Sequence, residues 1–452
     1  MYPIDPPAVS PQQFPPVVQV TALQPFLSDT EIETICRQLG HVWRSRLLPP
    51  GVTVRSMVYR SLHADHSIQA AVTDLAAGGD RPEAAPSASA WCQARSRLPA
   101  ALLTRLFQRS IDRLVRLAGH RHLVFGRPLY VVDGSTLSMP DEPELVKAFG
   151  YANTRHGPSR FPVARFALVL LAGVEAVCVY RLDPYRTAED VQLHRMWDAL
   201  PNGCISLFDR HFCSFYNLAK LRQRQIDVLT RLHQRRDPGR LIAHGRRLGK
   251  DEWSVTLDLA RQLRKRYNDP SLPKVLRVRL IRVAFRHGKK RRRLWLVTTL
   301  LDPKRYPRRV LIDLYRRRWG IETRYASLKT TLKLNVLRSL SLVGVRYEVA
   351  ASVLAHNLVW TLIHQAAHAA DTPPDRISFA DAIKAVLAFS AALRQTPPGR
   401  REHLYAFMLR HIARRSNRHR PGRVEPRLVK RDPVRFCFLT IPRDKARQKC
   451  LS

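Results

Sequence analysis

Two aspartates end short runs of apolar and β-branched residues, where a carboxylate could meet a metal ion. Asp133 ends the run YVVD, and Asp209 ends the run ISLFD. Runs of this length and composition predict buried strands, and a carboxylate that ends such a strand lies at the rim of a sheet. Carboxylate oxygens are the ligands that Mg²⁺ and Mn²⁺ prefer. Each aspartate taken alone is also typical of a turn or a helix cap, so both interpretations stay open here.

A third carboxylate lies in a segment with helical periodicity, LIDLYRRRWGIETRYASLKTTLK. At about 100° per residue, one sector of roughly 60° holds a phenol, two cations and a carboxylate: Tyr315, Arg318, Glu322 and Lys329. An adjacent apolar stripe predicts that one edge of this helix packs on a core. The polar sector could face a phosphate-rich substrate. It could equally be a solvated face held by pairs such as Arg318 and Glu322.

The charge of the chain narrows the class of partner. The chain has 77 Lys and Arg against 36 Asp and Glu, which leaves a net charge of +41. Such a charge raises the self-repulsion of a compact fold, and a nucleic acid relieves it through phosphate contacts. No apolar run reaches the roughly eighteen residues of a membrane span, and the Pro-rich start does not resemble a signal peptide. We therefore expect a nucleic-acid partner and no membrane partner.

The seven cysteines are scattered and form no CxxC pair. This pattern argues against a zinc module or a disulfide framework and is typical of a reducing cytoplasm.

The composition and periodicity of the sequence change twice along the chain. Residues 1–27 are rich in Pro and predict an extended arm, after which helical periodicity dominates to about residue 120. From residue 128 short strand-like runs alternate with helical segments, which indicates an α/β sheet. Residues 233–300 are strand-like and very basic, and helical, basic sequence fills most of the remainder.

These motifs together resemble those of DDE transposases of the insertion-sequence-four type. The spacing Y-(2)-R-(3)-E-(6)-K matches the signature of that family, and VDGST and FDRHFCSFYNL resemble its first and second acidic motifs. The segment SASAWCQARSRLP resembles its N-terminal region, and the resemblance covers most of the chain. One departure is His211, where the family often has Gly after the Asp-Arg pair, so the geometry of that loop is in question.

The resemblance implies an α/β fold with a ribonuclease H-like catalytic core and a β-rich insertion, flanked by N-terminal and C-terminal helical regions. It implies three domains: an N-terminal helical DNA-binding domain at 1–124, a catalytic domain at 125–345 with its basic insertion at about 233–305, and a C-terminal helical region with a basic tail at 346–452. It also implies that Asp133, Asp209 and Glu322 are catalytic and hold two Mg²⁺ ions, for which Mn²⁺ would substitute.

Further residues match positions at which the family contacts DNA. By resemblance, Tyr315, Arg318 and Lys329 would bind phosphates at the transposon end. Arg231 would be another DNA-contacting arginine, and we include Arg210, next to Asp209, with it. Trp295 stands where relatives place a tryptophan that stacks on a flipped base, although a core aromatic is an equally good interpretation.

The expected activity is cut-and-paste DNA transposition. The expected partners are double-stranded DNA, as terminal inverted repeats and as target, and a second copy of the chain in a synaptic complex. We expect the chain to act in the cytoplasm, at the nucleoid. Three alternatives stay open: a ribonuclease H-like nuclease or resolvase that cuts without joining, a non-catalytic nucleic-acid-binding protein with structural carboxylates, and an inactive remnant of an element.

Overall fold

A computed structural model of the chain describes residues 20–44, 47–63, 65, 67–77, 86–154, 157–287, 290–415 and 448. The β-sheet lies in the compact unit Met1–Ser416. Within the described part of the chain, no helix is both long enough and apolar enough to cross a membrane.

The N-terminal region is helical, as its periodicity predicts. Its helices are α1 Asp29–Gln38, α2 Pro50–Leu62, α3 Ile68–Ala77, α4 Ala88–Arg97 and α5 Ala100–Ala118. Ser28 caps α1, because its hydroxyl accepts a hydrogen bond of 3.2 Å from the backbone N–H of Glu31. The predicted extended arm is wrong for its last part. Residues Thr21–Phe26 form a 3₁₀ helix whose apolar side chains are buried, and Ala22 N donates to Ser390 Oγ at 3.1 Å.

One sheet of eleven strands is present among the described residues. Its strands are β1 Leu123–Val124, β2 Arg127–Ser138, β3 Tyr151–Thr154, β4 Gly157–Leu171, β5 Ala176–Pro184, β6 Ile205–Leu207, β7 Asp227–Arg231, β8 Arg246–Gly249, β9 Glu252–Asp258, β10 Val275–His287 and β11 Lys290–Thr298. Strands β2, β4 and β5 form an antiparallel meander. Strands β6 and β7 then add in parallel on the other side of β2. The predicted α/β fold is confirmed, and the description of its core as ribonuclease H-like stays a prediction.

The predicted β-rich insertion is also confirmed, and it does not form a separate sheet. Strand β11 pairs with the outer edge of β7, with Leu296 opposite Arg231, and β10, β9 and β8 follow outward. The insertion therefore extends the core sheet. This pairing covers the backbone of β7, which would otherwise be an exposed strand edge.

Helices cover both faces of the sheet. The remaining helices are α6 Pro143–Phe149, α7 Glu189–His194, α8 Phe215–Gln223, α9 Pro238–Ala243, α10 Arg261–Tyr267, α11 Arg308–Ala326, α12 Leu342–Ala369, α13 Phe379–Gln395 and α14 Pro398–Arg414. One hydrophobic core includes one sheet face, α11 and the N- and C-terminal helices. A second core lies on the opposite face, under α7 and α8. The longest helix, α12, is largely buried.

A buried polar contact joins α12 to the strand β5. The side-chain amide of Asn357 donates to the carbonyl of Val177 at 3.0 Å, and its oxygen accepts from the N–H of the same residue at 3.0 Å. The amide also donates to Ser110 Oγ of α5 at 3.1 Å. One fully buried side chain thus satisfies a strand-edge backbone and links three elements.

A buried ion pair ties the beginnings of β2, β6 and β7 together. Asp227, the first residue of β7, lies 2.7 Å from Arg127 Nη1, at the start of β2, and accepts from Thr299 Oγ1 at 2.6 Å. The Arg127 guanidinium also donates to the carbonyls of Gly203 and Cys204, which precede β6, at 2.5 and 3.0 Å. These bonds set the relative positions of three strands at their amino ends.

We predict that Asp227→Ala lowers the free energy of unfolding by about 3 kcal/mol, the lower end for a buried pair, because it leaves the largely buried Arg127 cation without its carboxylate. Equilibrium denaturation in urea measures the change. Asp198→Ala is the matched control, since that carboxylate is 98% exposed and pairs with Arg224 at the surface, where an ion pair contributes little. Equal stability of the two variants would contradict the role given to the buried pair.

Candidate active site

The two aspartates and one arginine form a row across three parallel strands. Three residues of β2, β6 and β7 are neighbours in register: Val131, Leu207 and Leu229. Two residues further along these chains, on the same face by strand alternation, come Asp133, Asp209 and Arg231. Adjacent strands are about 4.8 Å apart, so the two carboxylates lie next to each other where β6 ends beside β2. Residues 76 positions apart in sequence thereby become neighbours.

The structure corrects the place of Asp133 in its strand. Sequence composition puts it at the strand end, whereas β2 continues to Ser138 because β4 is long enough to pair with residues 130–138. On its other side β2 loses its partner earlier, since β6 ends at Leu207. Asp133 therefore lies in the part of β2 that extends beyond the end of β6. Its Oδ1 accepts a hydrogen bond of 2.9 Å from the N–H of Gly134.

Asp209 caps a short turn. Its Oδ1 accepts from the N–H of Arg210 at 2.7 Å, and residues Arg210–Phe212 form a 3₁₀ helix. The cap interpretation and the metal interpretation are thus compatible. Residue 211 is not in the left-handed region, so His211 fits this turn without the conformational freedom of glycine. Arg210 is half-buried. Burial lowers the pKa of His233, and the positive charge of Arg210 adds to this shift.

Helix α11 crosses this face and contacts β2 and β7. The side chains of Tyr315 and Arg318 are only 8% and 7% exposed, so for these two residues the solvated-face interpretation is wrong. Burial raises the pKa of Tyr315 to about 12, and three nearby charges act on the same hydroxyl: Arg318, Asp209 and Arg231. The helix therefore brings its polar sector against the row of strand residues.

Glu322 belongs to α11, but its side chain lies outside the described residues. Position 322 is one helical turn beyond Arg318, on the same side of the helix. Among the described residues no group of three His, Cys, Asp or Glu side chains forms a metal cluster. The convergence of Glu322 with Asp133 and Asp209 stays a prediction.

Lys329 reaches the strand that carries Asp133. The predicted continuous helix ends earlier than expected, at Ala326, and widens into a π-helical turn, Ser327–Thr331. Lys329 Nζ donates to Ser135 Oγ at 2.6 Å. Ser135 is two residues after Asp133, on the same face of β2, so the ammonium group lies beside the proposed carboxylates. Burial lowers the pKa of Lys329.

The segment after this turn is fixed to the same strand. Ser138 N donates to the carbonyl of Asn335 at 2.9 Å, and Leu337 N donates to the carbonyl of Ser138 at 2.8 Å. The two chains form a short parallel bridge. The π turn is therefore held between helix α11 and strand β2, which positions Lys329. Sequence analysis did not identify Ser135 as a partner, although its spacing of two from Asp133 already indicates a common face.

Trp295 does not lie on the sheet face that carries Asp133 and Asp209. Trp295 precedes Leu296 in β11, so the two side chains lie on opposite faces of the sheet. Trp295 packs with Trp253 in the second core, with ring centroids 5.8 Å apart. The core-aromatic interpretation fits this environment. Contact of Trp295 with a flipped base stays a prediction.

Comparisons with known proteins identify the family of the chain. A family model described as "Transposase DDE domain" matches residues 125–358, and one described as "Insertion element 4 transposase N-terminal" matches residues 17–108. The chain belongs to the DDE transposases. It is an enzyme of DNA transposition, and a divalent cation is the cofactor typical of its family.

The transposase has relatives among curated and solved proteins. It is 26% identical over 432 residues to "Transposase InsG for insertion sequence element IS4" of Escherichia coli (strain K12), which covers 92% of this chain and 93% of that protein. It is 32% identical over 157 residues to "Putative transposase InsZ" of the same organism, over 33% of this chain and 51% of that protein. A piggyBac transposase solved as a synaptic complex with hairpin DNA aligns at 11% identity, with a TM-score of 0.44, over 90% of this chain and 87% of that one.

We predict that Ser135→Ala lowers the rate of DNA strand cleavage about tenfold, because a hydrogen bond to a charged group contributes about 1.5 kcal/mol. Ser135→Thr keeps the hydroxyl and should retain most activity. Single-turnover cleavage of labelled element ends, at saturating enzyme, measures the rate. Thr136→Ala is the control, since Thr136 is exposed and lies on the opposite face of β2. Equal rates in the Ala variant and the parent would show that Ser135 does not position Lys329.

Proposed function

We propose that this transposase cuts the ends of an insertion sequence and transfers them into target DNA, with Asp133, Asp209 and Glu322 as its metal-binding catalytic residues. The observation that supports this most strongly is the register of β2 and β6, which makes Asp133 and Asp209 neighbours at one sheet edge. Helix α11 crosses the same edge and carries position 322.

The donor set fits a hard divalent cation. Two carboxylates on adjacent strands offer oxygen ligands, which is the chemistry that Mg²⁺ and Mn²⁺ favour. We propose two Mg²⁺ ions, with Mn²⁺ as a substitute; when bound, they would activate the attacking oxygen and stabilise the leaving one. Glu322 would complete the ligand set from the helix side.

Cationic side chains around the carboxylates would bind the DNA backbone. Lys329 is held beside Asp133 through Ser135, and Arg231 is next to Asp209 in the strand row. Arg318 lies against the Tyr315 ring at 5.6 Å. These groups would bind phosphates on both sides of the scissile bond and keep the cut 3′ end near the metal site for the next step. Arg210, which follows Asp209 directly, and Trp295 are also proposed as DNA contacts.

The remaining assignments extend this proposal to the whole chain. The N-terminal helical domain, 1–124, would recognise terminal inverted repeats. The catalytic domain, 125–345, with its basic insertion at 233–305, would perform the chemistry, and residues 346–452 would bind DNA backbone. Joining of two element ends to one target favours a homodimer in the synaptic complex, acting at the nucleoid.

We predict that Asp133→Asn, Asp209→Asn and Glu322→Gln each lower strand cleavage by more than about a hundredfold, while DNA binding is retained. Even outer partners of metal ligands cost 10- to 100-fold when they are removed. Cleavage of labelled ends in Mg²⁺ and binding by gel shift are measured side by side. Asp258→Asn is the control, because Asp258 also ends a strand, β9, and is exposed. Full cleavage activity in any of the three variants would remove that residue from the catalytic set.

We predict that Arg318→Ala and Lys329→Ala impair strand joining more than the first nick. A nuclease releases its product, whereas a transposase must retain the cut 3′ end with fixed cations. The assay scores nicked and joined products separately in Mg²⁺. Lys304→Ala, at an exposed lysine before α11, is the charge control, and thermal melting checks the fold of Arg318→Ala.

Two results would contradict the proposal that Arg318 and Lys329 act mainly in strand joining. Equal loss of both steps in Lys329→Ala would mean that the cation only binds substrate. No joined product from the intact enzyme, with matching ends supplied, would favour the cutting-only nuclease.

A further inference from the structure

The first turn of α12 lies next to an arginine from the N-terminal helices. Arg95, in α4, points at this turn: a Cβ added at Gly344 would lie 3.1 Å from Arg95 Nη2. Ser341 caps the helix by accepting from the N–H of Gly344 at 3.1 Å. The N–H groups of Leu342 and Val343 belong to the first turn, where an α-helix provides no acceptor of its own. These two donors stand at the positive end of a 28-residue helix.

Arg95 is nine-tenths buried, and two of its three guanidinium nitrogens lack a hydrogen-bond acceptor among the described residues. Its relative exposure is 9%, and neither Nε nor Nη1 finds a hydrogen-bond acceptor in the part of the chain that the structure describes. The guanidinium stacks over the Trp91 ring at 5.2 Å. A cation beside a helix N-terminus is electrostatically unfavourable unless an anion is shared between them.

One nearby carboxylate, Glu348, has a charge that acts on Arg95 and is shared with several other donors. Glu348 lies 3.6 Å from the buried Arg60, and its oxygens also accept from Ser339 N, Ser339 Oγ and Arg338 N at 2.7–3.2 Å. Two guanidinium groups and a helix N-terminus thus face one carboxylate whose oxygens are already occupied. The exposed Arg346, one residue after the first turn, adds another positive charge at the surface.

Gly344 keeps this turn open. An added Cβ there would lie 2.9 Å from Ser339 Cβ and 3.0 Å from Ser341 Oγ, besides its contact with Arg95. The absence of a side chain at residue 344 lets the guanidinium approach the backbone closely, as in glycine-lined phosphate sites at helix N-termini.

We propose that the first turn of α12 and Arg95 form a binding site for a backbone phosphate of DNA, separate from the carboxylate site. Arg95 Nη2 and the N–H groups of Leu342 and Val343 supply the donors. The site joins the N-terminal helices to the helix that follows the catalytic core, so one phosphate fixes both against the DNA. This inference rests on DNA as substrate, and it requires no strand cleavage.

The test measures the salt dependence of DNA binding by the full chain. Fluorescence anisotropy of a labelled duplex gives the slope of log Kobs against log salt concentration, whose magnitude falls by about 0.9 for each phosphate that the protein no longer binds. We expect Arg95→Gln and Gly344→Ala each to reduce the slope by about one. Lys384→Gln, which removes a 77% exposed lysine paired with Asp381, should leave the slope unchanged.

A second measurement separates DNA from free phosphate. Inorganic phosphate, compared with chloride at equal ionic strength, should raise the melting temperature of the parent chain more than that of either variant. A phosphate effect with unchanged DNA slopes would overturn the assignment to DNA, and unchanged slopes with no phosphate effect would mean a structural arginine. If Arg95→Gln does not fold, the salt slopes and melting temperatures are measured on Gly344→Ala and Arg95→Lys instead. A slope change without any cleavage activity in the parent would contradict the proposed function and leave this site standing.

Discussion

The buried Arg127–Asp227 pair is the interaction on which the rest of the catalytic face depends. It joins the first residues of β2 and β7, and through two carbonyls it also fixes the entry to β6. In a parallel sheet the register set at the amino ends determines which residues meet at the carboxyl ends. A slip of one residue in β6 would turn Asp209 to the opposite face. The pair is therefore a structural determinant of the active site, although it lies at the other end of the strands.

The opposite end of the same strands collects charge of both signs. Asp133 and Asp209 are neighbours in the row, and Arg231, Tyr315 and Lys329 surround them from β7, α11 and the π turn. Two adjacent carboxylates repel each other in a poorly hydrated site. Fixed cations reduce this repulsion, and a divalent ion would reduce it further. The same cations suit phosphates, so stability of the site and affinity for DNA have a common electrostatic origin.

The insertion and the terminal helices constrain this face from outside. Strand β11 pairs with β7. The row of Asp133, Asp209 and Arg231 is therefore bordered by a hydrogen-bonded strand. Helix α12 connects to β5 through Asn357 and lies beside α4 through Gly344 and Arg95. These helices share one core with α11, so the first turn of α12 is anchored in a packed structure. Precise placement of DNA ends beside the metal site requires such rigidity.

Much of this protein could be predicted from local sequence, and the remainder depended on long-range contacts. The β-branched runs and helical periodicities indicated the α/β core, the β-rich insertion and the helical flanks, because burial imposes periods of two and 3.6 residues. The motif spacing identified the family and its candidate carboxylates. Strand pairing decided what those patterns left open: Asp133 lies within β2, since the length of β4 extends that strand to Ser138.

Other features were invisible in local sequence for the same physical reason. Lys329 sits in a π turn because its segment is bridged to β2, and its partner Ser135 is 194 residues away. The Thr21–Phe26 segment, Pro-rich in its surroundings, is drawn into the core by burial of its apolar side chains. Residue types and spacing determined which chemistry this chain can perform. Only the tertiary structure decided which side chains meet, because register, burial and ion pairing are set by contacts between residues far apart in sequence.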